Sequence, residues 1–214
     1  MVNTQPNLKG LRIVVSFVDD FVTQSAFVGQ FLLKKLSFDN KVIRLPAKSG
    51  QAIEVMVRKI EKALRENRGH SLQRLEITGH SYPARWAGRL NYEELISENS
   101  SKKAALVRLK PLWSPSNEGL ILRMCSVASG EEGRQFMEEL AKTVGAKVTA
   151  WTGIYEIRPT GEEWTASPDG VVTKTGDTGR TSYFGPWRDR PLLKKIITTP
   201  AFLALMAWRT ITGK

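Results

Sequence analysis

The sequence between residues 120 and 151 decides the fold class, and it reads LILRMCSVASGEEGRQFMEELAKTVGAKVTAW. The apolar run at 120–124 predicts a strand that is buried on both faces. After Cys125 and several small residues, segment 133–144 repeats apolar residues at helical spacing and ends at a glycine. Residues 147–151 predict a further strand. A strand, a helix and a second strand in this order indicate a β-α-β unit with parallel strands.

The same alternation of strands and helices extends towards the N-terminus. The pattern predicts strands at 11–18, 41–45 and 72–78 and helices at 21–36, 51–67 and 91–110, the last one broken near residues 99–101. Strands that alternate with helices are typical of an α/β fold. We therefore expect a mainly parallel sheet that is flanked by helices on both faces.

Beyond residue 151 the pattern changes. Residues 163–166 and 171–174 flank the turn Ser167-Pro-Asp-Gly170, which predicts a β-hairpin appended to the core. A polar loop is expected at 175–182, and 190–211 predicts terminal helices in two pieces. We expect one domain over residues 1–214, with a core at about 11–151 and the hairpin and a basic helical tail at 152–214.

The chain is basic, and much of its excess charge lies in the tail. It has 214 residues, of which 32 are Lys or Arg and 21 are Asp or Glu, for a net charge of +11. From residue 180 onward there are seven basic residues and one acidic residue. This tail is suited to contact with an anionic surface, either a membrane or a nucleic acid. A regulatory protein partner is a separate expectation. A terminal helix that packs its apolar side on the core is the more common reading.

The cysteine and histidine content limits the chemistry. One cysteine forms no internal disulfide, and with two histidines it makes a structural metal site improbable, so we expect no metal and no cofactor. The polar N-terminal stretch lacks the apolar core of a signal peptide, and no late apolar run is long enough for a transmembrane segment. We expect a cytoplasmic protein.

Cys125 and His80 each follow a predicted strand. In parallel sheets, functional sites lie beyond the carboxyl ends of the strands, and both residues fall there. A thiol becomes an effective nucleophile when an imidazole and backbone amides stabilise the thiolate. The strand order therefore predicts a working pair, with Cys125 as nucleophile and His80 as base. A buried structural cysteine is the simpler alternative for Cys125 alone.

Two stretches carry a resemblance to a known family. They are Leu75-Glu-Ile-Thr-Gly-His80 and the segment from Leu120 to Phe136, in which Cys125 precedes Gly-x-x-Gly-x-x-Phe. Together they resemble the caspase-like (clan CD) cysteine peptidases, and bacterial CHAT-type domains are the nearest group. The resemblance covers roughly residues 11–151. The separation of 45 positions from His80 to Cys125 is close to the spacing of about 50 in caspases.

The resemblance implies a cysteine endopeptidase that cleaves protein substrates. In that reading Cys125 attacks the scissile carbonyl, His80 handles the protons, and backbone amides at Ser81 and Ser126 support the oxyanion. The family usually has glycine directly after the histidine, whereas this chain has Ser81. That departure leaves open a second reading, a catalytically silent caspase-like module that binds a protein or an anionic partner.

Other motifs have simpler explanations. Gly79-His-Ser-Tyr-Pro83 imitates the nucleophile elbow of α/β-hydrolases, but both histidines precede the serine and Pro83 replaces the second glycine. His70 is expected to cap a helix end or to be solvated. Glu131 and Glu132 are expected to favour the dipole of the helix whose first turn they occupy.

Overall fold

In the computed structural model the described residues are 9–18, 40–46, 52–67, 70–78, 81, 83–86, 90–153 and 160–179. The strands in these segments are β1 Lys9–Val18, β2 Asn40–Pro46, β3 His70–Thr78, β4 Arg85–Trp86, β5 Leu90–Asn91, β6 Gly119–Arg123, β7 Val148–Trp151, β8 Glu162–Ala166 and β9 Val172–Asp177. The helices are α1 Ala52–Glu66, α2 Tyr92–Ile96, α3 Ser101–Val107 and α4 Gly130–Val144, with one 3-10 turn at Lys110–Leu112.

Seven strands form one sheet in the order β2-β1-β3-β6-β7-β8-β9. Five strands of this sheet, β2, β1, β3, β6 and β7, are parallel to one another. Strand β8 runs antiparallel to β7, and β9 runs antiparallel to β8. Strands β4 and β5 form a separate hairpin. The mainly parallel α/β fold that the sequence predicts is therefore confirmed. Because β3 and β6 are parallel neighbours, their carboxyl ends lie side by side at one edge of the sheet.

One face of the sheet carries the hydrophobic core. Alternate residues along β3 and β6 are fully buried in it, and Leu75 and Ile77 lie opposite Leu120 and Leu122 in register. The described helices cover this face: α1 contacts β1, β2 and β3, α4 contacts β7, β8 and β9, and α3 contacts both helices. Every second side chain of these strands therefore points to the face that the apolar sides of the helices cover. The predicted helices at 21–36 and 190–211 lie outside the described residues.

Local sequence signals account for where helices α2 and α3 begin. Asn91 precedes α2 in an extended conformation and accepts a hydrogen bond from the Glu94 amide, while the Glu94 carboxylate accepts one from the Asn91 amide. This reciprocal pair is a capping box. The predicted break in the 91–110 helix is confirmed, because α2 ends at Ile96 and α3 begins at Ser101 after the cap residue Ser100.

The predicted C-terminal hairpin is confirmed as β8 and β9, but it is an integral part of the sheet and not an appendage. Strand β8 pairs along β7, from Val148 opposite Ala166 to Trp151 opposite Glu163. The open edge of β7 offers backbone donors and acceptors that an added strand satisfies, and no local sequence pattern reveals such pairing.

Two further predictions are corrected by the structure. Strand β9 continues to Asp177, into the segment 175–182 that was predicted as a loop, because Thr175 joins a row of threonine hydroxyls across the sheet. Helix α4 begins at Gly130, three residues before its predicted start.

Candidate active site

Cys125 lies in a turn just beyond β6 at the carboxyl edge of the sheet. Its side chain is partly exposed. The last residue of β6, Arg123, is the register partner of Thr78, the last residue of β3. His80 lies outside the described residues, between Thr78 and Ser81. His80 therefore comes two positions after Thr78 in the sequence, and Cys125 comes two positions after Arg123.

Two hydrogen bonds fasten the turn that carries Cys125 to the end of β7. The Ser126 amide donates to the Gly153 carbonyl at 2.7 Å, and the Ala128 amide donates to the Trp151 carbonyl at 3.2 Å. Ser126 has a φ of 55°, which lies in the left-handed backbone region that residues other than glycine adopt at a cost of about 1 to 2 kcal/mol. The turn therefore has a specific, slightly strained shape that its neighbours hold.

The Gly-x-x-Gly-x-x-Phe motif fixes α4 against the same turn. A Cβ atom on Gly133 would lie 2.5 Å from the Val127 carbonyl oxygen and 2.7 Å from the Ala128 carbonyl carbon, so only glycine allows the helix to approach so closely. Gly130 has a φ of 71° at the start of α4, and Phe136 is fully buried in the core. The motif therefore sets where the helix begins relative to Cys125.

The loop after β3 contacts the Cys125 turn directly. The Ala84 amide donates to the Val127 carbonyl at 3.4 Å, and Ala84 has a φ of 54°. The Ser81 side chain is buried, and its hydroxyl donates to the Arg85 carbonyl. These contacts join the segment that follows His80 in sequence to the segment that follows Cys125.

Charged residues occupy the sheet face opposite the core, which the sequence reasoning missed. The Glu76 carboxylate is almost fully buried and pairs with Arg74 at 3.1 Å and with Arg123. Glu118 pairs with Arg12 at 2.6 Å and with Arg74 at 2.8 Å. The available signal was the spacing of Arg74 and Glu76, which stand two positions apart between apolar residues of β3 and so share one face of the strand.

The pKa values of this charged cluster reflect burial and pairing. Burial lowers the pKa of Arg74 against the opposing effect of the Glu118 charge. Burial raises the pKa of Glu118, but the Arg12 hydrogen bond and the charges of Arg74 and Arg12 outweigh it, so the net pKa lies below the ordinary value. Arg123 also borders a shallow concavity of about 490 Å³ on this face, together with Thr149 and Trp151.

Two other observations apply to the described part of the chain. No group of three His, Cys, Asp or Glu side chains there is arranged to hold a metal ion. None of the helices described is both long enough and apolar enough to cross a membrane. Glu131 and Glu132 occupy the first turn of α4, where Glu131 pairs with Arg134 at 2.8 Å, as expected of acidic residues at an exposed helix start.

A comparison with family models matches residues 15–182 to a domain of unknown function, DUF4347. The match covers most of the chain, from within β1 to beyond β9. No curated protein and no solved structure matches the sequence.

Proposed function

The chain belongs to the DUF4347 family, and we propose that it is a cysteine endopeptidase that cleaves protein substrates through His80 and Cys125. One observation supports this most directly. Thr78 and Arg123 are opposed at the carboxyl ends of two parallel strands, and the histidine and the cysteine each follow two residues later. Side chains at this edge of a parallel sheet are the ones that meet a substrate.

The proposed reaction is amide hydrolysis by way of a thioester. The Cys125 thiolate attacks the scissile carbonyl carbon, and a carbon–sulfur bond forms. The carbon–nitrogen bond then breaks as the His80 imidazolium gives its proton to the leaving amine. A water molecule, deprotonated by His80, attacks the thioester, releases the acid and restores the thiolate. The backbone amide of Ser81, which follows His80, would hold the negative oxygen in both tetrahedral intermediates.

Ser81 and Ser126 have supporting roles in this proposal. The Ser126 amide already donates to Gly153, so it would have to break that bond before it could donate to an oxyanion. We therefore assign Ser126 the role of shaping the turn that carries Cys125. The Ser81 hydroxyl, which donates to the Arg85 carbonyl, holds the loop that follows His80.

We propose a caspase-like arrangement for the fold as well. The order β2-β1-β3-β6-β7 of parallel strands and the position of Cys125 beyond β6 support it. The protein substrate, the cytoplasmic location, a regulatory protein partner and an anionic contact of the basic tail belong to the same proposal. The excess of basic residues from residue 180 onward supports the anionic contact.

The test is the pH dependence of Cys125 alkylation by iodoacetamide in the full chain. An ordinary thiol titrates near pH 8.5, whereas activated thiols titrate at about 3.5 to 7.5. We expect rapid labelling below neutral pH that His80→Ala slows. His70→Ala is the matched control, because it removes the other histidine of the chain and should change nothing.

Labelling that titrates near pH 8.5 and is unchanged by His80→Ala would overturn the proposal. It would favour the catalytically silent module that binds a partner. In the active case, Cys125→Ala and His80→Ala should each abolish proteolysis and leave the domain folded, since both positions follow strand ends in the sequence.

A further inference from the structure

We infer that Gly153 is a positioning residue for Cys125 and that its carbonyl oxygen holds the nucleophile turn in its reactive shape. This inference rests on the proposed function. It concerns the β7–β8 junction, none of whose groups takes part in the proposed bond-making and bond-breaking steps.

The β7–β8 junction is held by three hydrogen bonds. The Thr152 amide donates to the Glu162 carbonyl at 3.0 Å, and the Gly153 amide donates to the Thr160 carbonyl at 3.2 Å. The Glu162 amide in turn donates to the Thr152 hydroxyl oxygen at 2.9 Å. Strand pairing therefore continues beyond Trp151 and holds the backbone up to the Gly153 amide.

Close packing makes a glycine necessary at position 153. A Cβ atom there would lie 2.4 Å from both the carbonyl oxygen and the hydroxyl oxygen of Thr160, closer than real Cβ atoms approach. Across the junction, Gly161 has a φ of 76°, and a Cβ atom there would lie 2.6 Å from the Thr152 hydroxyl oxygen and 2.9 Å from the Gly153 nitrogen. Gly153 is therefore held in place through Thr152 before it and through Thr160 and Gly161 across the junction.

The hydrogen bond from the Ser126 amide connects the Gly153 carbonyl to the backbone next to Cys125. The Ser126 nitrogen and the Cys125 carbonyl carbon belong to one planar peptide unit, so the 2.7 Å bond to Gly153 fixes the backbone rotation that follows the Cys125 Cα atom. The same bond holds Ser126 at its unfavourable positive φ. Without it, the turn could relax and the thiol would change its position relative to its neighbours.

The experiment compares Gly153→Ala with Gly176→Ala by the pH profile of Cys125 alkylation. Both changes add one methyl group to the same hairpin region, but a Cβ atom at Gly176 makes only an ordinary 3.6 Å contact with Glu163. We expect Gly153→Ala to move the midpoint of labelling at least one pH unit towards 8.5, and so to slow labelling about tenfold below neutral pH, while Gly176→Ala keeps the wild-type profile.

A second variant guards against simple misfolding of the first. Thr152→Val removes the hydroxyl oxygen that accepts from Glu162 without adding bulk, and it should shift the midpoint in the same direction by a smaller amount. If the folded Gly153→Ala protein labels like wild type, or if it does not fold and Thr152→Val labels like wild type, the inference is wrong. A wild-type midpoint near 8.5 would instead refute the proposed peptidase, so the two failures are distinguishable.

Discussion

The backbone amide of Ala84 donates a hydrogen bond to the carbonyl oxygen of Val127 and thereby joins the loop after β3 to the turn after β6. Ala84 and Ser126 are also the two non-glycine residues with positive φ in the part of the chain that is described. Strained backbone of this kind persists where surrounding contacts impose it, and it clusters at functional sites. Its location at the carboxyl edge of the sheet agrees with the site proposed from the sequence.

Replacing Ser126 with glycine should stabilise the fold. Glycine adopts a φ of 55° without the steric cost of about 1 to 2 kcal/mol, but it loses more conformational entropy on folding. The free energy of unfolding should therefore rise by about 0.5 to 1 kcal/mol in urea titrations. Ser129→Gly is the control, because Ser129 has a φ of −75° and makes no side-chain cap bond. That variant should be neutral or slightly less stable. A loss of stability in Ser126→Gly would show that the serine side chain contributes more than the strain costs.

Replacing Gly133 with alanine should destabilise the protein, against the usual helix preference. Within a helix, alanine is normally better than glycine by about 1 kcal/mol. Here the new Cβ atom would overlap the Val127 carbonyl, and overpacking of that kind costs about 1 to 3 kcal/mol. Thermal and urea unfolding of Gly133→Ala measure the net effect, with the exposed Gln135→Ala on the same helix as control. A stabilised Gly133→Ala protein would contradict the close approach.

Removing the buried carboxylate of Glu76 should have a large effect. The Glu76→Gln change leaves Arg74 and Arg123 without their buried counter-charge, and breaking such a pair costs about 3 kcal/mol. The partly exposed arginines place the expected loss at this lower end of the usual range. The matched change Glu131→Gln, at an exposed carboxylate paired with Arg134, should barely alter the urea midpoint. Equal effects of the two substitutions would rule out a buried ion pair at Glu76.

The core of the fold was predictable because its signals are local. Helical spacing in 51–67 and the apolar run at 120–124 predict α1 and β6 to within a few residues. The joining of β8 to β7 was not predictable, because pairing between distant strands depends on backbone groups that no residue pattern marks. Helix α4 starts earlier than predicted because Gly130, which has little helix preference, begins it with a positive φ.

The candidate site also has a part that the sequence predicts and a part that it does not. The sequence places Cys125 directly after a strand, and the structure confirms that position. The contacts that hold it there come from Gly153 and Ala84, which lie far away in sequence and belong to no recognised motif. The pairing of Cys125 with His80 stays a prediction.

The stability contributed by Glu118 should depend on pH. Arg12 and Arg74 lower the pKa of this carboxyl in the folded state, although burial acts in the opposite direction. A carboxyl whose pKa is lower in the folded state stabilises the protein above its unfolded pKa of about 4.3, and that contribution is lost as the pH falls through the folded value. Glu118→Gln should therefore be less stable than wild type at pH 7, and the difference should shrink by pH 3.

Urea unfolding at pH 7, 5 and 3 measures that difference directly. Glu98→Gln, at an exposed carboxylate, is the control and should follow wild type at every pH. Because the Glu118 carboxylate is about one-third exposed, added salt should reduce its contribution at pH 7 through screening. A Glu118→Gln deficit that is as large at pH 3 as at pH 7 would mean that the side chain acts through packing and that its ion pairs with Arg12 and Arg74 do not stabilise the sheet face.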